Sequence, residues 1–160
     1  MPRIRVSISD QTLTLADHQG RALGTYPVST ATRGAGEHRG SHCTPRGRHV
    51  VRAKIGAGLP VNTVFVGRRP TGELWTPELA ARYPDRDWIL TRILWLSGCE
   101  IGFNRLGDVD TMRRYIYIHG TPDTMEVGQP GSIGCVRMRN SSLVDLFDRV
   151  SPGTQVDIVA

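Results

Sequence analysis

Lysine is nearly absent from this 160-residue chain: of its 20 basic residues only Lys54 is a lysine, and the formal net charge is +5. An arginine-dominated surplus fits either a compositional bias towards Arg, Ala and Gly or an anionic partner, nucleic acid or a small molecule with several carboxylates. Composition alone does not choose between them. Long apolar runs are missing too; none approaches the ~18 residues of a membrane-spanning helix, so a soluble protein with no membrane partner is expected. The first residues, Met1-Pro2-Arg3-Ile4-Arg5-Val6-Ser7-Ile8, alternate polar with apolar and lack the apolar stretch and cleavage site of a secretory leader. A cytoplasmic location is therefore expected, or a periplasmic one if the chain is a trimmed piece. Cysteine is scarce, at Cys43, Cys99 and Cys135. An odd count in a chain of this size argues for reduced thiols rather than a disulfide framework.

What is present reads as one mainly β domain over residues 1–160. Apolar residues alternate at Ile4, Val6 and Ile8, at Leu13 and Leu15, and from Ala22 to Val28, a meander of short strands. Residues 29–49 carry no sustained apolar period and read as a long surface loop. Val61–Val66 and Trp88–Leu96 are rich in β-branched and aromatic residues, as core strands are, and bracket a turn over Arg68–Gly72. Between them Pro77–Tyr83 suits a short helix with proline in its first turn. After a loop over residues 98–113, Tyr115–His119 reads as a strand with Tyr117 and His119 on one face. Leu143, Leu146, Phe147 and Val150 recur at helical spacing behind Ser141 and Ser142, which are expected to cap the helix; Val156 and Ile158 mark a last strand. The expected fold is a curved sheet or β-sandwich with one or two short helices. Its cleft lies where the loops around residues 44, 68 and 119–135 meet.

The chemistry concentrates in His119-Gly120-Thr121 and Ser132-Ile133-Gly134-Cys135-Val136-Arg137. A thiol attacks as thiolate, so it needs a base or a positive field, and His119 is the candidate base. Small residues before Cys135 let backbone N–H groups approach a reacting carbonyl. The amides of Gly134 and Cys135 are thus candidate oxyanion donors, each commonly worth about 3 kcal/mol to the transition state. The implied reaction is acyl transfer through a thioester.

His-Gly-Thr, twelve residues between His119 and Ser132, then Ser-x-Gly-Cys-x-Arg, resembles the catalytic motif of the YkuD family, the L,D-transpeptidases. Thr44-Pro45-x-Gly47 matches a further segment of the family, and the resemblance spans about residues 1–158. It implies Cys135 as nucleophile, His119 as base and the Gly120 carbonyl as the group that orients the imidazole. Ser132 and Gly134 shape the loop, Ser132 beside the substrate. Arg137 and Tyr117 become candidate substrate contacts, Arg137 towards a carboxylate. The implied substrate is the peptidoglycan stem tetrapeptide, cut between diaminopimelate and D-alanine, with no cofactor. A cytoplasmic enzyme would pass the acyl group to water, as an L,D-carboxypeptidase of wall recycling; the alternative is a cross-linking or D-amino-acid-exchanging transpeptidase. Two positions depart from the family pattern: Ile133 stands where a histidine is frequent, and Ser142 where an aspartate is.

Two other readings compete. His38, His42, Cys43 and His49 all suit zinc, but their spacing fits no standard finger, and no metal is expected. Nucleic-acid binding has only charge and scattered aromatics behind it, with no recognition motif, and is not expected either.

Overall fold

The computed structural model describes all residues from Met1 to Ala160. The strands are β1 (Arg3–Ser7), β2 (Thr12–Ala16), β3 (Ala22–Ser29), β4 (Gly47–Ile55), β5 (Thr63–Val66), β6 (Arg69–Leu74), β7 (Ile89–Gly98), β8 (Tyr117–Thr121), β9 (Val136–Arg139) and β10 (Gln155–Val159), with helices α1 (Pro77–Arg82) and α2 (Asn140–Arg149). They form one sheet in the order β4-β10-β1-β2-β3-β9-β8-β7-β5-β6, and β4 also pairs with β7. That extra pairing closes the sheet into a barrel and leaves the β5–β6 hairpin as a flap on β7. The curvature expected from the sequence is thus carried to closure, which removes two exposed strand edges. Inside, Ile4, Val6, Leu13, Leu15, Leu94, Ile118 and Ile158 are nearly or fully inaccessible, and Leu143, Leu146 and Phe147 of α2 join the same core cluster. No helix is long and apolar enough to cross a membrane.

Several elements differ from their sequence reading, each for a physical reason. β4 begins inside the stretch read as loop, because its inward residue at position 49 is a histidine and breaks the apolar alternation. β6 covers most of the expected turn; all six of its residues are exposed, so no periodicity marks it. The turn itself is Gly67-Arg68, both at positive φ, the geometry of a tight two-residue hairpin. β8 starts at Tyr117, since Tyr115 has φ +57 and lies outside the strand. Ser141 and Ser142 do not cap α2. The helix follows β9 directly, its N-cap position is Arg139, and no side chain caps it. In α1 the cap is Thr76, whose Oγ1 accepts from Leu79 N–H at 3.1 Å, with proline in the first turn as expected.

His49 is fully buried, with Nε2 2.9 Å from Thr111 Oγ1 and Nδ1 3.0 Å from the Gly47 carbonyl. Burial pushes its pKa down from 6.5 to about 4. A group with a depressed pKa stabilises the fold above its unfolded value and loses that contribution as pH falls through the folded one. Urea midpoints measured from pH 7 to pH 4 should therefore fall by the equivalent of roughly 3 kcal/mol. His49→Gln should flatten that slope; an unchanged slope would contradict the assignment.

Candidate active site

β8 and β9 pair in parallel, with Ile118 opposite Val136 and His119 opposite Arg137. Paired residues in a parallel ladder share a face, so alternation sends Ile118, Val136 and Met138 into the core. Tyr117, His119, Cys135 and Arg137 fall on the other face. A cleft of about 580 Å³ opens beside Cys135, lined by Tyr117, Ile133 and Asp87 and roofed by Gly67-Arg68 at the flap tip. The loops expected to meet at a cleft do meet there.

His119 is fully buried, and its Nδ1 lies 2.6 Å from the Gly120 carbonyl. A carbonyl only accepts, so Nδ1 carries the proton and Nε2 presents its lone pair. Nε2 has no hydrogen-bond partner. Burial holds the imidazole below its ordinary pKa, so the ring is neutral. Gly120 itself is irreplaceable: an added Cβ would lie 2.2 Å from Asn140 Oδ1 and 2.6 Å from the Leu90 carbonyl.

Cys135 Sγ accepts from Tyr117 N–H at 3.3 Å, and its S–H points to the Tyr115 carbonyl at 3.5 Å. The thiol is not hydrogen-bonded to His119. Burial pushes its pKa up to about 12, which the Tyr117 amide offsets only in part. The resting pair is therefore neutral thiol and neutral imidazole rather than an ion pair. Of the two candidate oxyanion donors, Cys135 N–H has no acceptor within the protein, whereas Gly134 N–H donates to Ser132 Oγ at 3.2 Å. Ser132 is buried, and its hydroxyl also donates to the Cys135 carbonyl at 2.5 Å. It shapes the loop from within and does not line the cleft.

Thr44 ties the Thr-Pro-x-Gly segment to this loop: its Oγ1 accepts from Ala31 N–H and donates to the Gly134 carbonyl, both at 2.9 Å. Gly47 has φ +98, and a Cβ there would fall 2.3 Å from Glu100 Oε2. Tyr117 both faces the cleft and packs. Its hydroxyl accepts from Arg68 Nη1 at 3.0 Å, and its ring meets Trp95 edge-on. Arg68 also lies over the rings of Trp95 and Tyr115, at 4.6 and 4.8 Å from their centroids. The flap tip is thereby docked onto the wall that carries Cys135. Arg137 is ion-paired with Asp87, Nη2 to Oδ1, at 2.6 Å. Ile133 is exposed and lines this cleft and both neighbouring ones.

The zinc-type residues do not gather: no group of three or more His, Cys, Asp or Glu side chains is placed to hold a metal ion. His49 has both ring nitrogens engaged, and His42 is exposed at the cleft rim. Sequence reasoning missed three residues. Asn140 is buried, accepts from Thr91 Oγ1 at 2.6 Å and packs against Gly120. Thr91 has φ +77 at a bulge in β7, a costly conformation for a β-branched residue. Asp87 carried no signal beyond its charge, because only the fold brings it to Arg137.

The sequence profile of the YkuD family, the L,D-transpeptidase catalytic domain, matches residues 1–158. The chain is 32% identical over 110 residues to the probable L,D-transpeptidase YbiS of Escherichia coli, an alignment covering 66% of this chain and 35% of that protein. An L,D-transpeptidase-type reading frame from the ATP synthase subunits region of Fuscovulum blasticum is 31% identical over 99 residues, 58% of this chain and 46% of that one. The chain thus spans between a third and a half of these relatives. Among solved structures, the L,D-transpeptidase of Xylanimonas cellulosilytica superposes with TM-score 0.59 at 19% identity, over 99% of this chain and 60% of that one. L,D-transpeptidase 3 of Mycobacterium tuberculosis, solved with a faropenem-derived adduct, gives 0.59 at 18% identity, over 99% and 61%. These likenesses extend the fold beyond the motif, and the match over nearly the whole chain makes this protein a member of the YkuD family of L,D-transpeptidase catalytic domains, a family of enzymes.

Proposed function

We propose that this protein performs cysteine-dependent acyl transfer on peptidoglycan stem tetrapeptides, cutting the bond between diaminopimelate and D-alanine. The observation that carries the reading is the shared face of β8 and β9, where a buried imidazole with a free Nε2 lies beside a cleft that holds a thiol. In the first step the Cys135 thiol turns from the Tyr115 carbonyl and gives its proton to His119 Nε2. The sulfur attacks the carbonyl of the third residue, and the oxyanion takes the free Cys135 N–H. Collapse breaks the C–N bond; His119 returns the proton to the leaving D-alanine amine, and a thioester remains. An acceptor then attacks the thioester, loses its proton to His119 and expels Cys135, which regains it. Water is our preferred acceptor. Ile133 and Tyr115, both more than half exposed, flank the thiol's cleft and leave it open to solvent. An amine acceptor is the reading that the relatives' names carry.

Purified protein given a disaccharide tetrapeptide should release D-alanine, read by mass spectrometry, and Cys135→Ala should abolish release. Cross-linked dimers or exchanged termini in the presence of a D-amino acid would favour the amine; full turnover by Cys135→Ala would overturn the assignment. Because burial raises the thiol's pKa, alkylation of Cys135 by iodoacetamide, mapped peptide by peptide, should keep accelerating from pH 6 to pH 10. A plateau below pH 7 would mean a preformed thiolate. Arg68→Ala removes the flap's hydrogen bond to Tyr117 and its cation–π contacts with Trp95 and Tyr115; each cation–π contact is worth about 0.5–1 kcal/mol at an exposed site, so the flap should loosen and KM rise several-fold while thermal stability changes little. Unchanged KM would separate the flap from substrate binding.

A further inference from the structure

Asp87 is the only carboxylate lining the cleft that holds Cys135. It also lines an adjoining arm of about 450 Å³ walled by Trp75 and Trp88, where Asp85, Arg86 and Arg137 supply further charges of both signs. The arm on the other side, about 410 Å³, carries Arg39, His42, Arg113 and Arg114 and no acid at all. Charge is therefore sorted along the groove, and the mixed-sign arm begins at the Asp87–Arg137 pair.

Neither member of the pair is fully used. Asp87 is about one-third exposed; Oδ1 accepts from Arg137 Nη2, and Oδ2 has no protein donor. Arg137 donates once more, from Nη1 to the Gly131 carbonyl at 2.8 Å, and its Nε is buried without an acceptor. A carboxylate oxygen and a guanidinium with unspent capacity thus lie side by side, the guanidinium two residues along the chain from Cys135. Their fields reach the reacting groups: Asp87 favours protonation of both His119 and Cys135, and Arg137 opposes it at both.

We propose that Asp87 and Arg137 form a specificity-determining subsite for an α-amino-acid zwitterion at the end of the acyl donor's side chain. The proposal rests on the stem-peptide reading above and refines it. A diaminopimelate side chain ends in an ammonium and a carboxylate on one carbon. Asp87 accepts from the ammonium, Arg137 donates to the carboxylate, and the tryptophans flank the methylene stem. Because Asp87 lines both spaces, a residue acylated on Cys135 reaches it without leaving the groove. A lysine side chain in the same place would satisfy Asp87 and leave Arg137 without a partner, and a side-chain carboxamide would weaken the second contact. A site built for a polar group penalises the analogue that lacks it.

The test compares three tetrapeptide donors that differ only at the third residue: diaminopimelate, its side-chain carboxamide and lysine. Wild-type kcat/KM should favour the zwitterion over lysine by roughly tenfold or more, with the carboxamide between them. Arg137→Gln should lose most of that preference and Arg137→Lys recover part of it, a change in ratio that a merely structural role would not produce, whereas Asp87→Asn should lower kcat/KM for the diaminopimelate and lysine donors alike. Use of all three donors by the wild type within about twofold overturns the subsite while leaving the proposed function standing. If none is cleaved, although a carbapenem still acylates Cys135, the proposed function fails and the subsite with it.

Discussion

The parallel pairing of β8 with β9 is the constraint on which the rest depends. Two adjacent parallel strands present matched residues on the same face, so one register fixes Tyr117, His119, Cys135 and Arg137 together. The same register sends Ile118, Val136 and Met138 into a core where they are fully inaccessible. A slip of one residue would bury the reactive face and expose the apolar one, so the energy of the core also enforces the geometry of the site. Parallel neighbours need a long connection, and here it is the segment from Pro122 to Cys135 that carries the Ser-x-Gly-Cys turn.

That turn is held from outside its own strand. Thr44 grips the Gly134 carbonyl, Ser132 grips the Cys135 carbonyl and the Gly134 amide, and Arg114 Nη2 donates to the Cys43 carbonyl at 2.7 Å. On the far side, the strained Thr91, Asn140 and the bare Cα of Gly120 fit together so tightly that no side chain is possible at position 120. The Gly120 carbonyl is thereby fixed, and with it the tautomer of His119. Strain at Thr91 and the buried amide of Asn140 both cost stability, and both serve the placement of one imidazole.

Much of this was legible in the chain. Alternation located β1, β2 and β10, and helical spacing located α2, because in each the buried residues are apolar and periodic. The motif residues at positions 119, 120, 134 and 135 were visible because backbone approach and thiol chemistry restrict them to few residue types. Legibility ended where burial is polar or absent. His49 hid β4, the wholly exposed β6 hid the second strand of the flap, and Asn140, not a serine, begins α2 with its side chain turned inward. Asp87 was invisible for another reason: its partner Arg137 is fifty residues away, and no local pattern encodes a contact made by aligning the start of β7 with β9 across the sheet.

The resting site holds a protonated thiol directed at the Tyr115 carbonyl, so under the proposed mechanism the nucleophile is made at the moment of use rather than stored. A neutral pair in a buried wall avoids the cost of two buried charges, and substrate binding must supply the reorientation. The most direct measurement is rapid acid quench of the enzyme with a tetrapeptide donor, followed by peptide mapping. The account predicts a transient adduct of the donor minus D-alanine on Cys135 alone, absent in His119→Gln. An adduct on Cys43 or Cys99, or release of D-alanine with no adduct when the acylated state should accumulate, would contradict it.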